Sequence, residues 1–159
     1  MNITTSDRSC GECNICCTVF SVPEVEQRQG HLCSRWSRGV GCTIYRNRPV
    51  ACRSFNCSWL MYKSIPNELR PDKCGVVIRE FGAEGVPVIE FRESKVNTLS
   101  SQLFTHLVNK HKSLGSFVVT STISENGGYY AYISCSPHHY NKEDFDKYSK
   151  IIISLINTA

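Results

Sequence analysis

Long hydrophobic runs are missing from this chain. The longest apolar stretch, near Ile151 to Ile156, is far short of the ~20 residues that a membrane span needs, so no membrane association is expected. The opening residues, MNITTSDRSCGEC, have no basic stretch followed by an apolar one, and no secretory signal is read there. A strong excess of one charge is also missing. Charged residues make up 20% and the formal net charge is +4, too mild a field to announce nucleic acid by itself. There is no Gly-rich phosphate loop, no HExxH and no G-x-S-x-G turn, which removes the common signatures of nucleotide, metalloprotease and esterase chemistry. With 41% apolar residues among 159, a packed core is within reach and wholesale disorder is not expected.

What the chain has in abundance is cysteine, ten in all. Without a leader, the chain reads as cytoplasmic. Thiols stay reduced there, and clustered cysteines bind metal more often than they pair. Eight of the ten lie between Cys10 and Cys57: Cys10, Cys13, Cys16, Cys17, Cys33, Cys42, Cys52 and Cys57. Charge divides at a similar place. Residues 1–75 hold ten Lys/Arg against six Asp/Glu, while residues 76–159 hold eight of each. The chain therefore divides into a cysteine-rich metal-binding segment, 1–75, and a support unit, 76–159.

The second unit has regular patterning. Gly75 to Glu80 and Val86 to Phe91 are short β-type runs joined through Phe81–Gly85, a hairpin signal. Asn97 can cap a helix over about 98–112 with Leu99, Leu103, Leu107 and Val108 on one face. Ser116 to Ile123 and Tyr129 to Cys135 read as strands around the turn Glu125–Gly128. Asn141 and Asp144 resemble a helix cap, followed by Phe145, Tyr148, Ile152, Leu155 and Ile156 facing inward. The expected class is α+β, in ββαββα order. The simplest packing is a small antiparallel sheet with two helices on one face.

Residues 1–60 lack sustained periodicity, so something other than a large core must order them. Metal–thiolate bonds can contribute on the order of 10 kcal/mol to folding. Cys10-x-x-Cys13-x-x-Cys16 with a remote fourth cysteine matches the way ferredoxins hold a cubane iron–sulfur cluster. A zinc ribbon more naturally shows two separate C-x-x-C pairs. An iron–sulfur cluster is preferred, and zinc comes next. The neighbours Cys16 and Cys17 diverge by about 100° on a helix or 180° on a strand. Cys17 therefore faces a second metal, another part of a polynuclear cluster, or the core. Eight thiols suffice for two four-thiolate sites, or for one cluster plus one zinc. Cys74 is an even choice between ligand and core, and Cys135 reads as a buried small hydrophobe. His31 is a lesser ligand candidate.

Read together, Cys10-Gly11-Glu12-Cys13-x-x-Cys16-Cys17, then Cys33, then Gly41-Cys42-Thr43-Ile44-Tyr45, then Arg48-Pro49-Val50-Ala51-Cys52-Arg53-Ser54-Phe55-Asn56-Cys57 resemble the YkgJ-like cysteine-cluster (CxxCxxCC) family of zinc- or iron-chelating proteins. Trp59-Leu60 and Leu69 to Val77 resemble a subset of it. The likeness covers about residues 10–78. It implies a metal centre held by these cysteines and no fixed reaction. A similar cluster occurs in flagellin lysine methylases, which are thought to use an iron–sulfur centre. Related sequences often carry a further cysteine near the position of Trp36.

Arg35, Arg38, Arg46, Arg48 and Arg53 lie among these cysteines. Four thiolates on Zn²⁺ leave a charge of −2, which guanidinium groups offset while hydrogen-bonding sulfur or carbonyl oxygen. Arg48 and Arg53, which flank Cys52, are the chosen pair for contacting the centre. An anionic substrate is the second reading of these arginines, and nucleic acid the third. The leading functional expectation is a metal-binding protein. The alternatives are an enzyme that uses the centre for group transfer or redox chemistry on a protein or small molecule, and a metal-stabilised interaction module.

Overall fold

The computed structural model describes residues 7–157. The first six residues of the opening stretch lie outside them. Up to Cys74 the elements are short: helix α1 (Cys16–Val19), strands β1 (Trp36–Ser37) and β2 (Gly41–Cys42), then helices α2 (Val50–Ser54), α3 (Ser58–Met61) and α4 (Pro71–Cys74). Punctuation explains the lengths. Pro49 sits directly before α2, Pro71 opens α4, and Gly75 stops α4 at a φ of 76°, a left-handed position that glycine adopts at little cost.

Longer elements follow. They are strands β3 (Val76–Ala83) and β4 (Val86–Glu93), helix α5 (Gln102–Ser113), strands β5 (Phe117–Ile123) and β6 (Tyr129–Ser134), and helix α6 (Lys142–Asn157). The β3–β4 turn is tighter than the sequence reading had it. Only Glu84 and Gly85 separate the strands, both at positive φ, as a two-residue hairpin of the primed type requires. Asn141 and Asp144 cap α6 reciprocally. The Asp144 amide donates to Asn141 Oδ1 at 2.9 Å and the Asn141 amide to Asp144 Oδ2 at 3.3 Å.

The mixed α+β class is what the chain adopts. Two details of the expected packing are corrected. The sheet order is β3-β4-β5-β6, and β4 pairs with β5 in parallel, so the sheet is mixed rather than antiparallel. Helix α5 forms the crossover that parallel neighbours require. The two long helices also cover opposite faces. Helix α5 packs through Phe104, Leu107 and Val108 on Val76, Ile78, Ile89, Phe91 and Val118. Helix α6 packs through Phe145, Tyr148, Ile152 and Ile156 on Ala83, Val86, Val88, Phe117 and Val119. The clue lay in the consecutive apolar residues Val88-Ile89 and Phe117-Val118-Val119, since a strand buried on both faces reads as a run. Leu103 and Leu155, expected inward, are exposed at 51% and 38%.

The cysteine-rich segment lies on the α6 face of the sheet. Val19 and Phe20 pack on Val77, with Ile15, Cys16, Phe55, Cys57 and Tyr129 around them. Among the described residues, no helix is long and apolar enough to cross a membrane.

Candidate metal centre

The thiols are positioned by turns rather than by long elements. The Cys13 amide donates to the Cys10 carbonyl at 3.0 Å, closing the C-x-x-C turn, and Gly11 sits within it at a φ of 53°. Arg70 donates from Nη2 to the same Cys10 carbonyl at 3.0 Å. The chain then enters α1, which carries Cys16 and Cys17. The Cys17 carbonyl accepts the Cys33 amide at 2.8 Å, tying α1 to the β1–β2 ribbon. In that ribbon Cys42 pairs with Trp36. Gln27 is buried, and its side-chain amide donates to the Arg28 and His31 carbonyls, which fixes the loop before Cys33.

Gly41 is the close contact of this arrangement. A Cβ there would stand 2.2 Å from the Gly11 carbonyl oxygen, and its φ is +80°. No side chain fits between the ribbon and the Cys10–Cys13 turn. Gly41→Ala combines that clash with a strained φ, each a cost on the order of 1–3 kcal/mol. It is expected to push the ribbon away from the turn and to lower stability in urea unfolding by that order. A variant as stable as wild type would mean that the ribbon and the turn do not meet as described.

All ten cysteines are free thiols. Seven of them, Cys10, Cys13, Cys16, Cys17, Cys33, Cys42 and Cys52, line one cavity of about 310 Å³. Cys57 lies just behind it, packed against Val19 and Phe20. The thiols line this space without converging on a point. Among the described residues, no group of three or more His, Cys, Asp or Glu side chains is gathered closely enough to hold a metal ion as it stands. Four sulfurs on one zinc, each ~2.3 Å from it, stand about 3.8 Å apart, so binding would draw the turn, α1 and the ribbon inward. The donor chemistry fits a thiophilic metal: soft sulfurs, unpaired with one another, beside guanidinium groups.

The remaining candidates fall on either side of the cavity wall. Arg48 lines it and stacks on Tyr45, with 3.8 Å from guanidinium carbon to ring centre. Arg53 points to solvent and does not line it. Cys74 donates to the Val76 carbonyl at 3.3 Å and packs under α5, and Cys135 packs near α6. His31 is exposed.

Electrostatics distinguish the adjacent pair. Cys17 is lowered to about 7, first by its hydrogen bond with Cys16 and then, against burial, by Arg48. Cys16 is raised for the same reason, with burial and the charges of Cys17, Cys10 and Cys13 adding to it. Burial raises Cys13 and Cys52 and pushes Cys57 up to about 11.

Sequence reasoning missed three contributors. Tyr45 hydrogen-bonds Cys10. Phe20 and Arg79 also line the cavity, and Arg79 reaches it from β3. The Arg79 guanidinium lies 5.1 Å from the Phe20 and Phe81 ring centres and 5.8 Å from that of Phe55. The signal was available in the period-two pattern of Val77, Arg79 and Phe81, which share one face. The sheet thus supplies a wall of the cavity. Comparison with protein-family models, with curated proteins and with solved structures finds no match for this chain.

Proposed function

We propose that this is a metal-binding protein whose clustered cysteines hold an iron–sulfur cluster or zinc, with iron–sulfur preferred. One observation carries the reading. Seven free thiols from three short elements and the turns between them face a single cavity, and sequence positions as far apart as Cys10 and Cys52 meet there. Buried free cysteine ordinarily behaves as a scattered small hydrophobe, and seven on one wall are not scattered. The C-x-x-C-x-x-C spacing supports iron–sulfur over zinc. The likeness to the YkgJ-like cysteine-cluster family supports the same centre without naming a reaction. When bound, the metal would supply either structural cross-links or a redox and Lewis-acid site. Cys10, Cys13, Cys16, Cys17, Cys33, Cys42, Cys52 and Cys57 are the residues that would hold it.

The test is metal and acid-labile sulfide content of protein purified without oxygen. Iron and sulfide together, with a brown absorbance near about 400 nm, are the expected result; zinc alone would favour the second metal. Neither metal would defeat the proposal.

An enzyme built on the centre is a second reading, favoured by the apolar part of the cavity, where Phe20, Val22, Ile44 and Phe81 leave room beside the thiols.

The arginines give a separate prediction. Arg48 lowers Cys17 and lines the cavity, whereas Arg53 is solvated. Arg48→Met is expected to weaken metal retention several-fold or lower the reduction potential of a cluster, because charge beside sulfur tunes both. Arg53→Met is expected to leave both unchanged. Equal effects of the two replacements would overturn this division.

A further inference from the structure

We propose that the cavity beside the thiols binds a small organic monocarboxylate, with Arg79 Nη2 donating to the carboxylate and an apolar tail lying against Val22, Val25, Ile44, Phe55 and Phe81. The inference rests on the second reading above, that the cavity has room for a ligand beside the thiols, and adds the chemical class of that ligand.

The anchor is an unpaired donor. Arg79 comes from β3 with a side chain only 12% exposed. Its Nε donates to Glu90 Oε2. Its Nη2 is buried and has no hydrogen-bond partner among the described residues. The surrounding rings do not fill that role. The guanidinium carbon lies 5.1 Å from the Phe20 and Phe81 ring centres and 5.8 Å from that of Phe55. Such contacts answer the positive charge, while the N–H bonds in the guanidinium plane still call for an acceptor. A buried donor without one is unfavourable, so the site is short of an oxygen. Charge points the same way. Arg79 and Arg92 share a single carboxylate, that of Glu90, which leaves a positive charge over in the wall. Glu80, which borders the cavity, is exposed and accepts from the Tyr62 hydroxyl at 3.1 Å. It does not supply the missing oxygen.

The rest of this end of the cavity is apolar. Val25, Ile44, Ala51, Phe55 and Phe81 are half-buried, and all of them border the space of about 310 Å³. Small-ligand sites have this form, a mostly apolar wall with a few polar groups that fix orientation, and this volume is at the lower end of their range. Phe55 and Phe81 flank Arg79 at that border, so a carboxylate entering from the cavity reaches Nη2 by displacing ring edges rather than backbone. A carboxylate matches the planar guanidinium. A phosphate, with three strong acceptor oxygens, asks for more donors than this end offers.

The experiment titrates the full chain, reduced and with its metal content measured, with hexanoate in a calorimeter. Hexanamide and acetate are the controls that lack the charge and the tail. Hexanoate is expected to bind at about 1 mM or tighter, and at least about tenfold more tightly than either control. Equal binding of hexanamide overturns the carboxylate anchor, and equal binding of acetate overturns the apolar wall. No saturable binding of hexanoate overturns the whole proposal. Arg79→Lys keeps a charge for Glu90 but lacks the planar fork, and it should weaken hexanoate at least about fivefold. Unchanged affinity overturns the assignment to Nη2. Should that variant lose its circular dichroism, Val25→Asp decides, since it sets a like charge in the wall at a half-buried position. Abolished hexanoate binding there supports the proposal, and wild-type affinity overturns it. The two readings fail separately. Hexanoate bound by a chain that holds neither iron nor zinc defeats the metal-binding reading and leaves this one standing, whereas metal retained without hexanoate binding does the reverse.

Discussion

Stripping the metal from the full chain with a strong chelator under reducing conditions is expected to unfold residues 10–57 while β3–β6, α5 and α6 stay folded. The asymmetry follows from where the apolar contacts lie. Helices α1, α2 and α3 have four, five and four residues, well below the ~12–15 at which an isolated helix is even marginal. The buried side chains of the α1 region, Val19 and Phe20, rest on two sheet residues, Val77 and the partly buried Tyr129. The sheet unit by contrast has two apolar clusters, one under each long helix. A metal contribution on the order of 10 kcal/mol is comparable with the whole stability of an ordinary domain, ~5–15 kcal/mol. Hydrogen exchange is the measurement. The Cys33 and Thr43 amides, held at 2.8 Å by the Cys17 and Arg35 carbonyls, should lose protection on chelation. Amides of the β4–β5 ladder should keep theirs. Unchanged exchange at Cys33 and Thr43 after complete metal removal would make the cysteines ordinary core residues.

A comparably large effect is expected from Glu90→Gln, at a position with no thiol. Glu90 is fully buried on the face that carries the cysteine-rich segment. Arg79 Nε donates to its Oε2 at 2.5 Å; Arg92 Nε and the Ser121 hydroxyl donate to its Oε1 at 2.8 Å each. Glutamine keeps the shape and removes the charge, leaving two guanidinium groups of 12% and 8% side-chain exposure without their carboxylate. Breaking a buried pair in this way costs about 3–5 kcal/mol, and a drop of that order in urea unfolding is expected. The effect should reach the metal, because Arg92 also donates from Nη1 to the Val19 carbonyl at 3.2 Å, holding the end of the helix that carries Cys16 and Cys17. Burial raises the Glu90 carboxyl, but Arg92, Arg79 and Ser121 together outweigh it and hold the group below its usual value. Its contribution is therefore fully present above the unfolded value near 4.5 and is lost as pH falls through the folded one. Glu90→Gln should flatten that part of the acid dependence. A variant within about 0.5 kcal/mol of wild type, the range of ordinary surface changes, would mean that water already solvates the arginines.

Neither Glu90 nor its partners stood out in the sequence. A glutamate inside Val88-Ile89-Glu90-Phe91 reads as the polar half of an alternating strand, and only the pairing of β3 with β4 brings Arg79 opposite it. Local signals were legible: the β3–β4 hairpin, though not the tightness of its turn, the Asn141–Asp144 cap and the density of thiols in 10–57 all act over a few residues. The parallel pairing of β4 with β5 and the helices on opposite faces were hidden, since they depend on how distant strands associate. For the thiols, spacing pointed to Cys10, Cys13 and Cys16. That Cys52 would share their cavity, and that Cys57 would stand behind it, depended on where the turn at Pro49 aims α2. Arg53 lost its expected place for the same reason: one residue along a helix from Cys52 is a turn of about 100°, enough to reach solvent.

The packing of α1 on β3 and β6 also sets an order of events during synthesis. Val19 and Phe20 leave the ribosome early, but Tyr129, which completes their seat, is made about 110 residues later. At ~5–20 residues per second, Cys10, Cys13, Cys16 and Cys17 wait roughly 5–20 s before the platform beneath them exists. During that interval the nascent thiols meet whichever thiophilic ions and oxidants surround the ribosome. On the proposed metal-binding reading, local metal supply at that moment, as well as final affinity, would decide what the finished chain carries.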